Sequence, residues 1–282
     1  MKSYCIKTDN NQIIEYLLNR ISNLDFPNIY YCSKSFKIYE NVIIHYKDNN
    51  VLKFENIVAN LLMDTIVNFY QEKILRRIIN VNYFYFEAFE RELILEECNG
   101  FLLEECEEIR ESIFKDLKEY LKTNKNINLE GVTNFRLNDY LKILDSIVDL
   151  AVNKYIIEKE YKEFINLLKI YVNSAEPKTD LLHLIYINGE SILLDKEKEI
   201  IPMDTNINNV KYLSDITFSS NDIALNTLLS MLPKKIELHI IDREDEFINT
   251  LKLIFEKKIR ICNDCNICRT YKMIKSNSSN VF

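Results

Sequence analysis

The period of hydrophobic and polar positions changes several times along the chain, and each change marks an element. Residues 4–8 (YCIKT) read as a short strand, and Asp9-Asn10 follow as a cap for the next segment. Ile13, Ile14, Leu17, Leu18 and Ile21 then recur at helical spacing. Residues 29–38 and 41–47 alternate and are rich in Tyr, Ile and Val, which predicts a hairpin. The N-terminal segment therefore reads β-α-β-β. From 51 to 79, an apolar face runs through Leu52, Ile57, Val58, Leu61, Leu62, Thr65, Ile66, Phe69, Tyr70, Ile74 and Ile78. Residues 82–98 continue helically after the aromatic start Tyr83-Phe84-Tyr85-Phe86. Residues 101–122 form another amphipathic helix, ending before the polar loop Thr123-Asn124-Lys125-Asn126. The clearest periodicity follows Gly131: Leu137, Leu141, Leu144, Ile147, Val148, Ala151, Val152 and Tyr155 mark one face. It resumes through Tyr161, Phe164, Ile165, Leu168 and Tyr171 and stops near Pro177, which removes a donor and restricts its neighbour.

Past Pro177 the period shortens. Residues 181–187 and 191–194 flank Asn188-Gly189-Glu190, a hairpin signal. A polar connector spans 195–215, a helix 221–232 ends at Pro233, and a strand 235–241 follows. A helix at 243–256, a short strand at 258–261 and a disordered tail from 276 complete the chain. These elements predict an α+β fold, a central helical block flanked by small N- and C-terminal α/β units. Short strands at both ends need partners, and one shared sheet would supply them. The expected domains are an N-terminal unit 1–50, a helical domain 51–176, a C-terminal unit 177–275 and the tail 276–282.

Composition sharpens this picture. Only 3 Gly and 4 Pro occur in 282 residues, too few turn formers for an all-β sandwich. A net charge of −7 repels a phosphate backbone and disfavours nucleic-acid binding. The start, MKSYCIKTDNNQ, lacks the apolar run of a signal peptide, and no stretch is apolar enough to span a membrane. The expected setting is the cytoplasm, where thiols stay reduced, so the 7 Cys are not expected to form structural disulfides.

Three of those cysteines carry the strongest chemical signal. Cys262, Cys265 and Cys268 recur at a strict three-residue spacing in ICNDCNICR. Such spacing lets a turning backbone aim successive thiolates at one point, as zinc or an iron–sulfur cluster requires. Arg269 and Lys272 favour the thiolate forms. A fourth ligand is missing downstream, which leaves Cys5, Cys32, His239, a non-protein ligand or a second chain to supply it. Thiol–disulfide exchange and a set of plain reduced thiols are the alternatives. Cys98 and Cys106 read as small hydrophobes in a core. His45, His183 and His239 read as strand residues satisfied in the core or at an edge, with His239 favoured as a ligand because the cysteines follow it. The pairs Glu96-Glu97, Glu104-Glu105 and Glu107-Glu108 read as solvated helix faces. Asp64 and Asp149 lie near apolar faces, with Arg76, Arg77 or Arg136 as expected partners. Arg136 itself reads as a loop anchor, or as a ligand contact. No GxxxxGK[ST], GxGxxG, HExxH or GxSxG motif occurs.

Longer words carry a resemblance. Residues 130–137 (EGVTNFRL), Asp139-Tyr140-Leu141, 147–152 (IVDLAV) and 158–168 (EKEYKEFINLL) resemble the YtxC-like sporulation proteins of endospore-forming, low-GC Gram-positive bacteria. The aromatic segment 82–86, the region around Leu194-Asp195 and the run from Leu228-Leu229 to Pro233-Lys234-Lys235-Ile236 fit as well, so the similarity covers about 50–270. The resemblance implies a role in spore formation and a cytoplasmic setting, and it supplies no catalytic residues. The resulting expectation is a cytoplasmic sporulation protein acting through protein contacts. A metal or iron–sulfur protein using Cys262, Cys265 and Cys268 is one alternative, and an enzyme of unknown class is another, which the missing catalytic motif disfavours.

Overall fold

A computed structural model describes residues 2–202, 219–262 and 264–278, and it is α+β with a sheet towards each end of the chain. Two compact units divide it, Met1–Glu158 and Lys159–Phe282.

In the first unit, the β-α-β-β start forms as read: β1 (Lys2–Thr8), α1 (Asn11–Ser22), β2 (Ile29–Ser35) and β3 (Glu40–Tyr46). The Asn10 side chain accepts from the Gln12 N–H and caps α1. The helical stretch at 51–79 divides at Tyr70 into α2 (Val51–Phe69) and α3 (Gln71–Asn82). The aromatic run that opens the next stretch is a turn, with the Tyr85 and Phe86 rings 4.7 Å apart. Then α4 (Ala88–Glu104) passes through Gly100, and α5 (Cys106–Thr123) follows. The loop expected at 123–126 instead leads into β4 (Asn126–Asn128), before the short α6 (Leu129–Phe135) and α7 (Asn138–Ser174). β4 joins β1 in parallel, giving the order β2-β3-β1-β4. Tyr4 and Ile6 of β1, Val42, Ile44 and Tyr46 of β3, and Ile127 of β4 turn one face into a core with α1, α2, α5 and the first half of α7.

The second unit is built on β5 (Thr179–Ile187), β6 (Glu190–Leu194), α8 (Ser220–Met231), β7 (Pro233–Ile240), α9 (Glu246–Phe255), β8 (Ile259–Ile261) and α10 (Asn266–Ser278). Its sheet has the order β6-β5-β7-β8, with β5, β7 and β8 parallel. Asn188 and Gly189 take φ of 55° and 80°, the left-handed pair that a two-residue hairpin loop demands. Leu182, Leu184 and Tyr186 of β5 alternate with Ile236 and Leu238 of β7 to bury one face against α8, α9 and Ile165 and Val172 of α7. The two ends therefore build two sheets of four strands, not one shared sheet; β4, from within the helical block, supplies the partner that the N-terminal strands needed. Most of the connector expected at 195–215 lies outside the described residues. The tail expected from 276 begins inside α10, and 279–282 lie outside the described residues.

Asp245 caps α9, its carboxylate accepting from the Ile248 N–H at 3.2 Å and from the Tyr186 hydroxyl. The Tyr186 hydrogen bond, with backbone N–H groups of α9, holds its carboxyl below the ordinary range against a smaller opposing effect of burial. A depressed folded-state value means a contribution present above the unfolded value of about 3.9 and lost as pH falls through the folded one. Urea midpoints of wild type and Asp245→Asn are thus expected to differ most at neutral pH and to converge in acid. A gap that holds constant into acid would remove the charge from this account.

Candidate metal centre

Opposite the core face of the second sheet, alternation turns His183 of β5 and Glu237 and His239 of β7 to the other side. β8 then runs parallel to β7, with Leu238 opposite Ile261. The Cys262 N–H continues that ladder, donating to the Leu238 carbonyl at 2.9 Å. This register delivers Cys262 beside His239. Two residues further on the chain turns, Cys265 sits just ahead of α10, and Cys268 lies within its first turn. Cys268 is 1% exposed, and α10 packs on β7.

Four donors converge there. His239 Nδ1 lies 3.4 Å from Cys268 Sγ and 3.5 Å from Cys265 Sγ. Cys265 Sγ and Cys268 Sγ are 3.8 Å apart, and Cys268 Sγ and Cys262 Sγ 3.9 Å. All four donor atoms lie within 4.8 Å of one another. A tetrahedral ion with bonds of about 2.3 Å to sulfur and about 2.0–2.1 Å to nitrogen needs S···S near ~3.8 Å and S···N near ~3.5 Å. An iron–sulfur cluster places several iron and sulfide atoms between its cysteines, so a cage this tight suits one ion.

The electrostatics fit ligands that must shed protons. Burial raises the Cys265 thiol, but the Cys268 N–H, the Cys262 and Cys268 thiols and the Ile267 N–H outweigh it, and the net shift is downward. Burial and the neighbouring sulfurs push Cys262 up to about 12, and burial raises Cys268. The cluster without a metal thus makes Cys265 the most acidic of the three thiols. A bound cation would lower the other two. Burial lowers both His239 and His183, keeping the imidazoles neutral as ligation requires.

A second layer supports the first. His239 Nε2 and His183 Nδ1 share a hydrogen bond at 3.0 Å, and ligation through His239 Nδ1 would leave its Nε2–H to donate. Glu237 Oε2 lies 3.5 Å from that same His183 nitrogen and accepts from Lys235. Such a partner fixes both tautomer and ring orientation of a ligating histidine. His183, read from sequence as a satisfied strand histidine, is satisfied by the candidate ligand itself. Two-residue alternation and the parallel β5–β7 pairing carry the signal, but the register that joins them is invisible along the chain.

The remaining candidates fall elsewhere. Cys5 and Cys32 lie on β1 and β2, both opposite Ile43 in the first sheet. Cys98 is fully buried and packs as expected, whereas the Cys106 side chain lies outside the described residues. His45 bonds Ser3 at 2.7 Å. Asp64 pairs with Arg20 and Arg110, at 2.8 and 2.5 Å, and Asp149 accepts from Tyr83, so neither uses the arginines expected. Arg76 pairs with Glu72 and Glu92, and Arg77 donates to Asn134. Arg136 is exposed at the C-terminal end of α6 and makes no ion pair among the described residues. A polar groove of about 660 Å³, lined by Asp9, Asn10, Tyr70, Lys73, Arg77 and Glu130 among others, includes neither Arg136 nor Asp149. No helix among the described residues is long and apolar enough to cross a membrane.

A family model described as the YtxC-like family matches residues 56–260 of this chain. The match takes in His183, Glu237 and His239 and ends just before Cys262. A protein described as uncharacterized protein YtxC, from Bacillus subtilis (strain 168), is 20% identical over 226 residues, covering 76% of this chain and 79% of its own. No solved structure matches.

Proposed function

The chain belongs to the YtxC-like family, and from that premise we propose that it is a cytoplasmic protein of endospore formation whose C-terminal unit is organised around one Zn²⁺ ion. His239, Cys262, Cys265 and Cys268 hold the ion. The observation that carries this reading is the convergence of one imidazole nitrogen and three sulfurs from β7, the end of β8 and the start of α10, at 3.4–3.9 Å. Four protein donors leave no open position for substrate or water, so the ion is structural, tying α10 and β8 to β7. Its work on the cell's behalf is contact with other proteins, a role supported by Tyr161, Phe164, Leu167 and Ile170 of α7, each 41–65% exposed. The setting in spore formation is supported by the resemblance of residues 130–168 to the sporulation family.

Elemental analysis and a UV–visible spectrum test the metal, on protein purified without oxygen or chelator. About one zinc per chain is expected, lost in the Cys262, Cys265, Cys268→Ser triple variant. Cobalt substitution should give visible bands with thiolate-to-metal charge transfer, also absent from the variant. Stoichiometric iron with a broad visible absorption would replace zinc by a cluster. Metal-free wild type, with a triple variant of unchanged stability, would end the metal reading.

A further inference from the structure

We propose that Cys265 and Cys268 form a peroxide-sensitive dithiol whose oxidation to a disulfide ejects the metal and releases α10. This inference rests on the zinc reading and adds the regulation of that site. Of the three sulfurs, Cys265 is placed to attack. It stands just ahead of α10, at the helix N-terminus. It is half-buried, so a small oxidant can reach it. Cys268 is buried one helical turn on, with its Sγ 3.8 Å from Cys265 Sγ. An accessible attacking sulfur and a sheltered resolving sulfur, separated by two residues, make the arrangement of dithiols that cycle between reduced and oxidised forms.

The oxidant is hydrogen peroxide, and the electrons balance in two steps. The Cys265 thiolate attacks one peroxide oxygen; the O–O bond breaks, an S–O bond forms, and the departing hydroxide takes a proton to become water. The Cys268 thiolate then attacks the sulfenic sulfur; the S–S bond forms, the S–O bond breaks, and a second hydroxide leaves as water. Two thiolates lose two electrons in total, and one peroxide becomes two waters. His239 and Cys262 remain, two donors where the ion needs four. The neighbouring pair, Cys262 and Cys268 at 3.9 Å, is nearly as close, but Cys262 follows the end of β8 and lacks the helix N-terminus.

The test uses the full zinc-loaded chain carrying Cys32→Ser, which removes an exposed thiol remote in sequence from the site. Hydrogen peroxide is added, zinc release is followed with a chromogenic chelator, and the alkylated protein is peptide-mapped. One zinc lost per disulfide, a Cys265–Cys268 link, and recovery of both zinc binding and free thiols with a dithiol reductant are expected. Zinc retained while other cysteines oxidise, a link through Cys262, or Cys265 carried irreversibly to the sulfinic acid would each overturn the proposal. A chain that holds no zinc before peroxide is added would sink the zinc reading and, with it, metal ejection. The same map would then still decide whether the dithiol exists.

Discussion

Stripping the metal with a strong chelator at neutral pH is expected to melt α10 and detach β8 while the β5–β7 pair stays folded. Both elements are short, and the described contacts that hold them besides the sulfurs include the Lys275–Asp242 ion pair of α10 and the packing of Ile259 of β8 on the core. β8 is three residues long and joins β7 through Ile236–Ile259, Glu237–Arg260 and Leu238–Ile261. α10 has 13 residues, a length at which an isolated helix is marginal in water. The buried core of the second unit is built from α7, α8, α9, β5, β6 and β7; Ile259 of β8 packs against it, and no described side chain of α10 enters it. Zinc in small folded domains contributes on the order of 10–16 kcal/mol of apparent binding energy, more than such elements supply themselves. In amide exchange, residues 259–275 should lose protection on chelation and regain it with zinc, whereas 181–187 and 235–239 stay protected. The Cys262, Cys265, Cys268→Ser variant should match the chelated protein. His183→Ala should fall between them, keeping the ligands but weakening affinity by roughly 10–100-fold through loss of the acceptor for His239. Unchanged protection across 259–275 in metal-depleted protein would show that packing alone seats α10.

The other large effect falls on the first unit. Phe54→Ala is expected to cost about 3–5 kcal/mol and to lower the thermal midpoint by on the order of 10 °C. Phe54 is fully buried; its ring stacks on Tyr46 at 5.0 Å and 15°, and lies 5.8 Å from Tyr4. Tyr4 in turn donates to the Leu121 carbonyl of α5 at 3.0 Å. Truncation at 54 therefore opens a cavity where β1, β3, α2 and α5 meet, and neighbours held by ring stacking and a buried hydrogen bond cannot simply collapse into it. Leu103→Ala is the control: at 82% exposure it should change stability by less than about 0.5 kcal/mol. Metal content should be unchanged in both, because the proposed ligands lie in the second unit. A loss below about 1 kcal/mol for Phe54→Ala would mean that the site repacks, contrary to this account.

Much of the fold is legible in the chain because its signals are local. Alternation over 4–8 and 41–47 gives β1 and β3, and Asn188-Gly189 marks the β5–β6 turn because only that backbone fits two residues at positive φ. The i, i+3, i+4 pattern from Leu137 to Tyr171 is one 37-residue helix. Elements with weak local signals escape. β4 is three polar-flanked residues with a single buried side chain, Ile127, and exists because β1 offers a free edge. α10 reads as a cysteine motif running into a polar tail, with a helical preference too weak to announce itself. Ion-pair partners escape too, since Arg20 and Arg110 lie 44 and 46 residues from Asp64.

The candidate site divides the same way. The sequence by itself determined that three cysteines, set three residues apart, can reach one point, because turn and helix geometry over seven residues is short-range chemistry. It also determined that the motif lacks a fourth donor. Proximity in sequence favoured His239 as the fourth donor but left Cys5 and Cys32 open, and the geometry that sets His239 beside the sulfurs is tertiary. A parallel β7–β8 pairing aligns Leu238 with Ile261, and the next residue of each strand then lies side by side. Such register is set by burial of Ile236 and Leu238 on the opposite face of the sheet. A one-residue slip would expose that face, so packing far from the sulfurs in sequence decides which imidazole meets them.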